Sequence, residues 1–295
     1  MARARIIIKR RKAVRNTRKI TKVMQMIATA RYQKAYKRAL GTKPYVRKIR
    51  ELVASVAQAL KAGGEDVAHP LLEEKTAKAG RIAMLVITSN RGLCGGYNAN
   101  LLRLAQNTLH ELDARGIAVD LHVAGKKGAV YFRFQKRALA QNLGTIGENP
   151  QYAAIEPLAT RFMDEYTAGK IDGLKIVYMQ FLSAGTQRAA VLDLLPLAGG
   201  LPAGDAHAMR ERFDFSPDPR TLLEALIPET VKLAIFQAFI EAAVSEQVGR
   251  MVAMKAATDN AEKMNKKLTQ EYNRARQSQI TSELSELMGG VEALK

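Results

Sequence analysis

Between Val244 and Ala275 the chain reads VSEQVGRMVAMKAATDNAEKMNKKLTQEYNRA. Val244, Val248, Met251, Met254, Ala257, Ala261, Met264, Leu268, Tyr272 and Ala275 advance by three or four positions. The mean step, about 3.4 residues, is close to the 3.5 of a left-handed coiled coil. The seam is lean, with Ala and Met where a permanent zipper carries Leu and Ile. Around it, Glu229 to Met288 contains no proline and one glycine, Gly249. As one helix that is about 90 Å at 1.5 Å per residue, more than a globular core of this chain can cover.

The only comparable partner is at the other end. Residues 2 to about 61 read as one long helix, with Val14, Ile20, Met24 and Ile27 opening a stripe that resumes at Leu40, Ile49, Leu52, Val53, Val56 and Leu60. Gly41 and Pro44 predict a kink or local break, and KAGGEDVAHP (61–70) reads as a linker. Pro228 is expected to end or kink the first turn or two of the C-terminal helix. The two ends are expected to pair antiparallel, with the middle of the chain inserted between them.

That middle, about 76–216, changes character. RIAMLVITS (81–89) and IAVDLHVAG (117–125) are short apolar runs, and LKIVYMQFLS (174–183) and RAAVLDLLPL (188–197) flank AGTQ as a hairpin. Helix-period stretches lie between them, at Ala99 to Ala114 and Ala153 to Thr167. Strands alternating with helices predict an α/β layer with a parallel core and an antiparallel edge. The fold class expected is α/β plus long α. Its parts are 1–75 (N-terminal coiled-coil helix and linker), 76–216 (α/β domain) and 217–295 (C-terminal coiled-coil helix).

Charge is placed unevenly. The net charge is +18, yet residues 1–50 hold 18 of the 46 Lys and Arg and none of the 28 Asp and Glu, leaving 28 of each sign in the remainder. A block of this kind meets an acidic surface, whether nucleic acid, anionic lipid or an acidic protein. A transit peptide would also be Arg-rich, but it would be Ser-rich and would not run on into further helical pattern. No apolar run reaches the roughly 20 residues that span a bilayer; VKLAIFQAFIEAAV from Val231 is cut by Lys232, Gln237 and Glu241. Direct membrane insertion is therefore not expected.

Chemistry-bearing motifs are missing where they would be sought. MLVITSNRGLCGGYNANLLRLAQ from Met84 runs strand, glycine turn, helix, but no Lys follows Gly95 and Gly96 as a Walker loop requires. GLCGG also lacks the GxGxxG spacing of a dinucleotide site. The glycines of this turn are expected only to permit a tight crossing at positive φ. Cys94, the single cysteine, excludes an internal disulfide and reads as a small buried thiol. His69, His110, His122 and His207 are scattered, so neither a metal site nor a cofactor is expected.

Three stretches carry a sharper signal: RNTRKITKVMQMIATAR from Arg15, SNRGLCGGYN from Ser89, and RMVAMKAATDNAEKMNKKLTQEYNRARQSQITSELSELMGG from Arg250. Together, in this order, they resemble the gamma-subunit family of F-type ATP synthases over nearly the whole chain. The resemblance implies an antiparallel coiled coil around a Rossmann-like domain. It implies a non-catalytic central rotor on the cytoplasmic face of a bacterial inner membrane. Its partners would be the alpha and beta subunits, the epsilon subunit and the c-subunit ring.

By the same resemblance, Arg276, Gln277, Thr281 and Glu283 match positions where the shaft meets beta-subunit loops. Arg250 and Met24 match the lower coupling region, with Lys22 and Arg31 flanking the same basic collar. Asn90 stands where the family commonly has Asp, and Tyr97 where it commonly has Leu. GGLPAGDAHAMRERFDF (199–215) is poorly matched. The paired regulatory cysteines of plastid members are absent. A basic coiled-coil nucleic-acid binder is the competing reading, and it leaves the C-terminal stretch unexplained.

Overall fold

A computed structural model of the chain describes residues 2–62, 69–73, 80–197 and 218–293. Most of the 61–70 linker and all of 199–215 lie outside them. Two helices dominate, α1 (Ala2–Ala62) and α5 (Pro219–Ala293). Between them in sequence come β1 (Arg81–Ile87), α2 (Tyr97–Ala114), β2 (Ala118–Ala124), α3 (Lys126–Phe134), β3 (Gln141–Asn142), α4 (Tyr152–Thr167), β4 (Gly173–Phe181) and β5 (Gln187–Leu195). Neither Pro44 nor Pro228 breaks its helix: both lie inside continuous helices. The chain forms two compact units, residues 31–249 and residues 1–30 with 250–295, and α1 and α5 contribute to each.

In the first unit the sheet order is β3-β2-β1-β4-β5. β1 pairs in parallel with β2 and β4, β2 in parallel with β3, and β4 with β5 antiparallel. The expected parallel core and antiparallel edge are both present, and Ser183 and Thr186 close the hairpin by mutual backbone bonds of 3.0 and 3.2 Å. β1 is almost uninterruptedly apolar because helices cover both of its faces. Ala83, Leu85 and Ile87 join one core with α4, Val53, Val56 and Leu60 of α1, and Ile227, Val231 and Ile235 of α5. Met84 and Val86 point the other way, into a core with Leu101, Ala105 and Leu109 of α2 and Phe132 of α3. The period of two along a strand divides the residues between these cores.

In the second unit α1 and α5 run antiparallel. The α1 partner falls from Thr21 to Arg18 to Arg11 as the α5 partner rises from Thr258 to Glu262 to Tyr272. The seam agrees with the expected one at Met254, Ala261 and Leu268 of α5, which are buried, and departs from it elsewhere. Ile20, Ile27 and Met264 are 60%, 50% and 55% exposed, whereas Ile7, Thr21 and Ala28 of α1 and Thr258 of α5 are buried. The α1 line keeps a seven-residue spacing through Ile7, Val14, Thr21 and Ala28, with Val14 half-buried and the others buried, and a threonine holds one of its places. Thr258 donates to Thr21 Oγ1 at 2.9 Å, and Thr21 donates to the Arg18 carbonyl at 3.1 Å. Each buried hydroxyl thereby has a partner.

Candidate functional site

The end of α5 is bare. Every described side chain from Arg276 to Gly289 is exposed except Gln279, which is half-buried. Ile280, Leu284, Leu287 and Met288 are 46%, 55%, 68% and 72% exposed, an apolar row left uncovered among the described residues. Arg276, Gln277, Thr281 and Glu283 lie on this segment. Thr281 Oγ1 donates to the Gln277 carbonyl at 3.0 Å, and Gln279 Nε2 donates to Glu283 Oε1 at 2.8 Å. Thr281 and Gln279 thus find partners within the helix, and the exposed row leaves an apolar surface for something else.

The other expected contact residues are placed differently. Lys22 is exposed and Met24 half-buried on α1, in the same unit as the α5 end, while Arg250 is 7% exposed and engaged within the protein. Arg31 is exposed but belongs to the α/β unit. Lys22 lines a groove of about 370 Å³ with Arg18, Lys19, Lys255, Asp259 and Glu262. Arg31 lines a groove of about 340 Å³ with Lys34, Arg38, Asn149, Ile240 and Ala243.

The glycine turn is a crossing between β1 and α2, held from inside. Of its three glycines only Gly95 has positive φ, at 62°, and Leu93 shares that region at 63°. The expectation of a glycine-enabled crossing therefore holds at one glycine, and a leucine takes the other left-handed position. Ser89 is fully buried; its N–H donates to Asn98 Oδ1 at 3.2 Å, and its hydroxyl accepts from Asn98 Nδ2 at 2.7 Å. Asn90 Oδ1 accepts from the Lys126 N–H at 3.1 Å, meeting one of the orphan donors at the start of α3. An amide oxygen at this place does what a carboxylate oxygen would. Cys94 is 2% exposed, as a buried thiol should be.

A polar cluster that no sequence motif announces sits on β2, one strand in from the β3 edge of the sheet. His122 of β2 lies with its Nδ1 3.2 Å from Arg161 Nη2 of α4 and stacks edge-on to Phe162 at 5.0 Å. Burial, then the Arg161 charge, pushes its pKa down to about 4. A second cluster joins Tyr152, whose hydroxyl donates to Glu229 Oε2 at 2.8 Å, and Lys232, which donates to Glu229 Oε1 at 2.7 Å and to Glu156 at 3.2 Å. Burial raises the Glu229 carboxyl, but the bonds from Lys232 and Tyr152 outweigh it and hold the carboxyl low. Both clusters lock elements together. Among the described residues no three His, Cys, Asp or Glu side chains could hold a metal ion, and no helix is long and apolar enough to cross a membrane.

Comparison with known proteins agrees with this geometry. The profile of a family described as ATP synthase matches residues 3–294. An ATP synthase gamma chain from Rhodopirellula baltica is 43% identical over 300 residues, covering 100% of both chains. Another, from Leptospira biflexa, is 38% identical over 294 residues, again covering 100% of each. Among solved structures, a rotor chain of the Euglena gracilis mitochondrial ATP synthase has a TM-score of 0.64 at 18% identity, covering 95% of this chain and 99% of that one. A central-stalk chain from Tetrahymena thermophila has a TM-score of 0.57 at 20% identity, covering 81% and 99%. At these identities the structural likeness is one of fold.

Proposed function

The chain belongs to the ATP synthase gamma-chain family, and from that premise we propose that it is the central-stalk rotor, carrying rotation of a membrane c-ring to the catalytic sites of an alpha/beta hexamer. The chain itself is non-catalytic. It works as a peripheral subunit at the cytoplasmic face of the inner membrane, and epsilon is a further partner. Its functional division follows 1–75, 76–216 and 217–295, with the two ends as shaft and the middle as foot. Arg276, Gln277, Thr281 and Glu283 contact the hexamer at the bare end of α5. Arg250, Met24, Lys22 and Arg31 serve the lower coupling region.

The observation that carries this reading is that bare end. An apolar row on a helix, left uncovered among the described residues, requires a close-fitting partner, and a sleeve around the shaft supplies one. The acid-free first 50 residues suit acidic loops on the same partner. A nucleic-acid binder would need neither the apolar row nor the matched length of the gamma chains. The test is co-expression with alpha and beta subunits, purification of the complex, and observation of ATP-driven rotation of a probe fixed to this chain. A stable complex with rotation is expected. A chain that leaves the hexamer, or a hexamer whose ATPase activity ignores its presence, would overturn the proposal.

A further inference from the structure

Two grooves flank α1, one in each unit, and their charge balance differs. In the coiled-coil unit Arg18, Lys19, Lys22 and Lys255 share the groove with Asp259 and Glu262, and Arg18 Nη2 lies 3.4 Å from Glu262 Oε2. Its two carboxylates offset two of its four cations. The groove of about 340 Å³ in the α/β unit presents Arg31, Lys34 and Arg38 with no carboxylate among its lining residues. Among the described residues neither Lys34 nor Arg38 has an ion-pair partner. Gathering like charges in one concavity is unfavourable on its own and is offset when a polyanion enters.

The spacing selects the anion. Positions 31, 34 and 38 share one face of α1, and the 1.5 Å rise spreads them over about 10 Å. A single phosphate cannot reach all three cations, whereas a chain of two or three phosphates can. Arg38 Nη1 already donates to Asn149 Oδ1 at 2.6 Å, so its guanidinium plane is set before a ligand arrives. A planar fork oriented in advance loses little freedom on meeting phosphate oxygens. Opposite the cations, Ile240 and Ala243 of α5 form an apolar floor, 3% and 8% exposed, beside Pro150. A flat uncharged group attached to the phosphates would rest there.

We propose that this groove binds an oligophosphate anion, either free or as the phosphate chain of a nucleotide. The site lies wholly within the α/β unit, apart from the glycine turn; it shares Arg31 with the proposed hexamer contacts, and Lys34 and Arg38 with the basic block proposed above to meet acidic loops. Lys34 and Arg38 carry the binding.

The full-length chain is titrated calorimetrically, at fixed ionic strength, with phosphate, pyrophosphate, triphosphate and ATP. Saturable one-to-one binding is expected, strengthening with each added phosphate. ATP equal to triphosphate identifies a free oligophosphate site; ATP tighter than triphosphate assigns the floor to the nucleoside. Lys34→Gln/Arg38→Gln should weaken triphosphate binding by about 10-fold or more. Lys19→Gln/Lys22→Gln, which removes the same charge from the half-neutralised groove, should change it by less than about 2-fold. Asn149→Ala should weaken it by about 3-fold by releasing Arg38.

Acetylation of Lys34 in the wild-type chain, followed by mass spectrometry, gives a readout needing no variant. Triphosphate should protect Lys34 and leave Lys19 reactive. Absence of saturation, equal losses in the two double variants, equal protection of the two lysines, or tighter binding of a glutamate-rich peptide than of triphosphate would each overturn the proposal.

Discussion

Gly249 of α5 is fixed by the glycine turn that meets it. A Cβ there would lie 2.8 Å from the Cys94 carbonyl oxygen, and backbone cannot yield as a flexible side chain does. Gly249→Val should destabilise the chain by about 2 kcal/mol through overpacking, read as a lower urea midpoint with unchanged slope. His122 makes a prediction in pH. Its pKa is about 4 in the fold against roughly 6.5 unfolded, so the unfolded chain binds more protons between those values. The stability that His122 contributes is therefore complete above about 6.5 and is lost as pH falls towards 4. Arg161 opposes its protonation and Asp120 favours it, and Arg161 prevails of the two. The loss should be on the order of 2 kcal/mol. Urea titrations at pH 7 and pH 4.5 check it, and His122→Gln should flatten the difference.

At the scale of elements, the Thr21–Thr258 bond is the polar point in an otherwise lean seam. Thr21→Val alone leaves the Thr258 hydroxyl buried with a poorer set of partners and should cost about 1 kcal/mol, whereas Thr21→Val/Thr258→Val should be near neutral. A double-mutant cycle by thermal melting would show the non-additivity. The same threonines explain what could be read beforehand. Apolar spacing alone moves the stripe to Ile20 and Ile27, because the seven-residue line Ile7–Val14–Thr21–Ala28 carries a hydroxyl where a counter of hydrophobes sees a gap. Strands β1, β2, β4 and β5 were legible as bounded apolar runs. β3, two residues long, offers no period to read. α3 is hidden by its length and its surface: nine residues, with Phe134 83% exposed and so not obeying the buried-face pattern. Of the contact residues, the α5 set lies together on one exposed segment, but nothing in sequence separated Arg31 from Lys22 into different units.

For the whole molecule, magnitudes limit what any one contact can do. Driving a two-state catalytic site from 1:99 to 99:1 takes about 5.5 kcal/mol of differential interaction. One exposed ion pair supplies about 0–1 kcal/mol. Coupling must therefore be spread over many contacts along α1 and α5. Arg276→Ala should reduce ATP synthesis by reconstituted complex by about 2- to 5-fold and leave rotation intact. Abolished rotation with normal assembly would contradict a distributed mechanism.

The row Ile280, Leu284, Leu287 and Met288 also governs the life of the chain before assembly. A copy without its hexamer carries a sticky terminus, the kind of surface that chaperones hold and proteases survey. In cells lacking alpha and beta subunits a pulse-chase should show this chain turning over several-fold faster than in their presence. Replacing Leu284, Leu287 and Met288 with Gln should lengthen the lifetime of the unassembled chain. That pair of outcomes would tie the lifetime of a surplus copy to the exposed row at the end of α5.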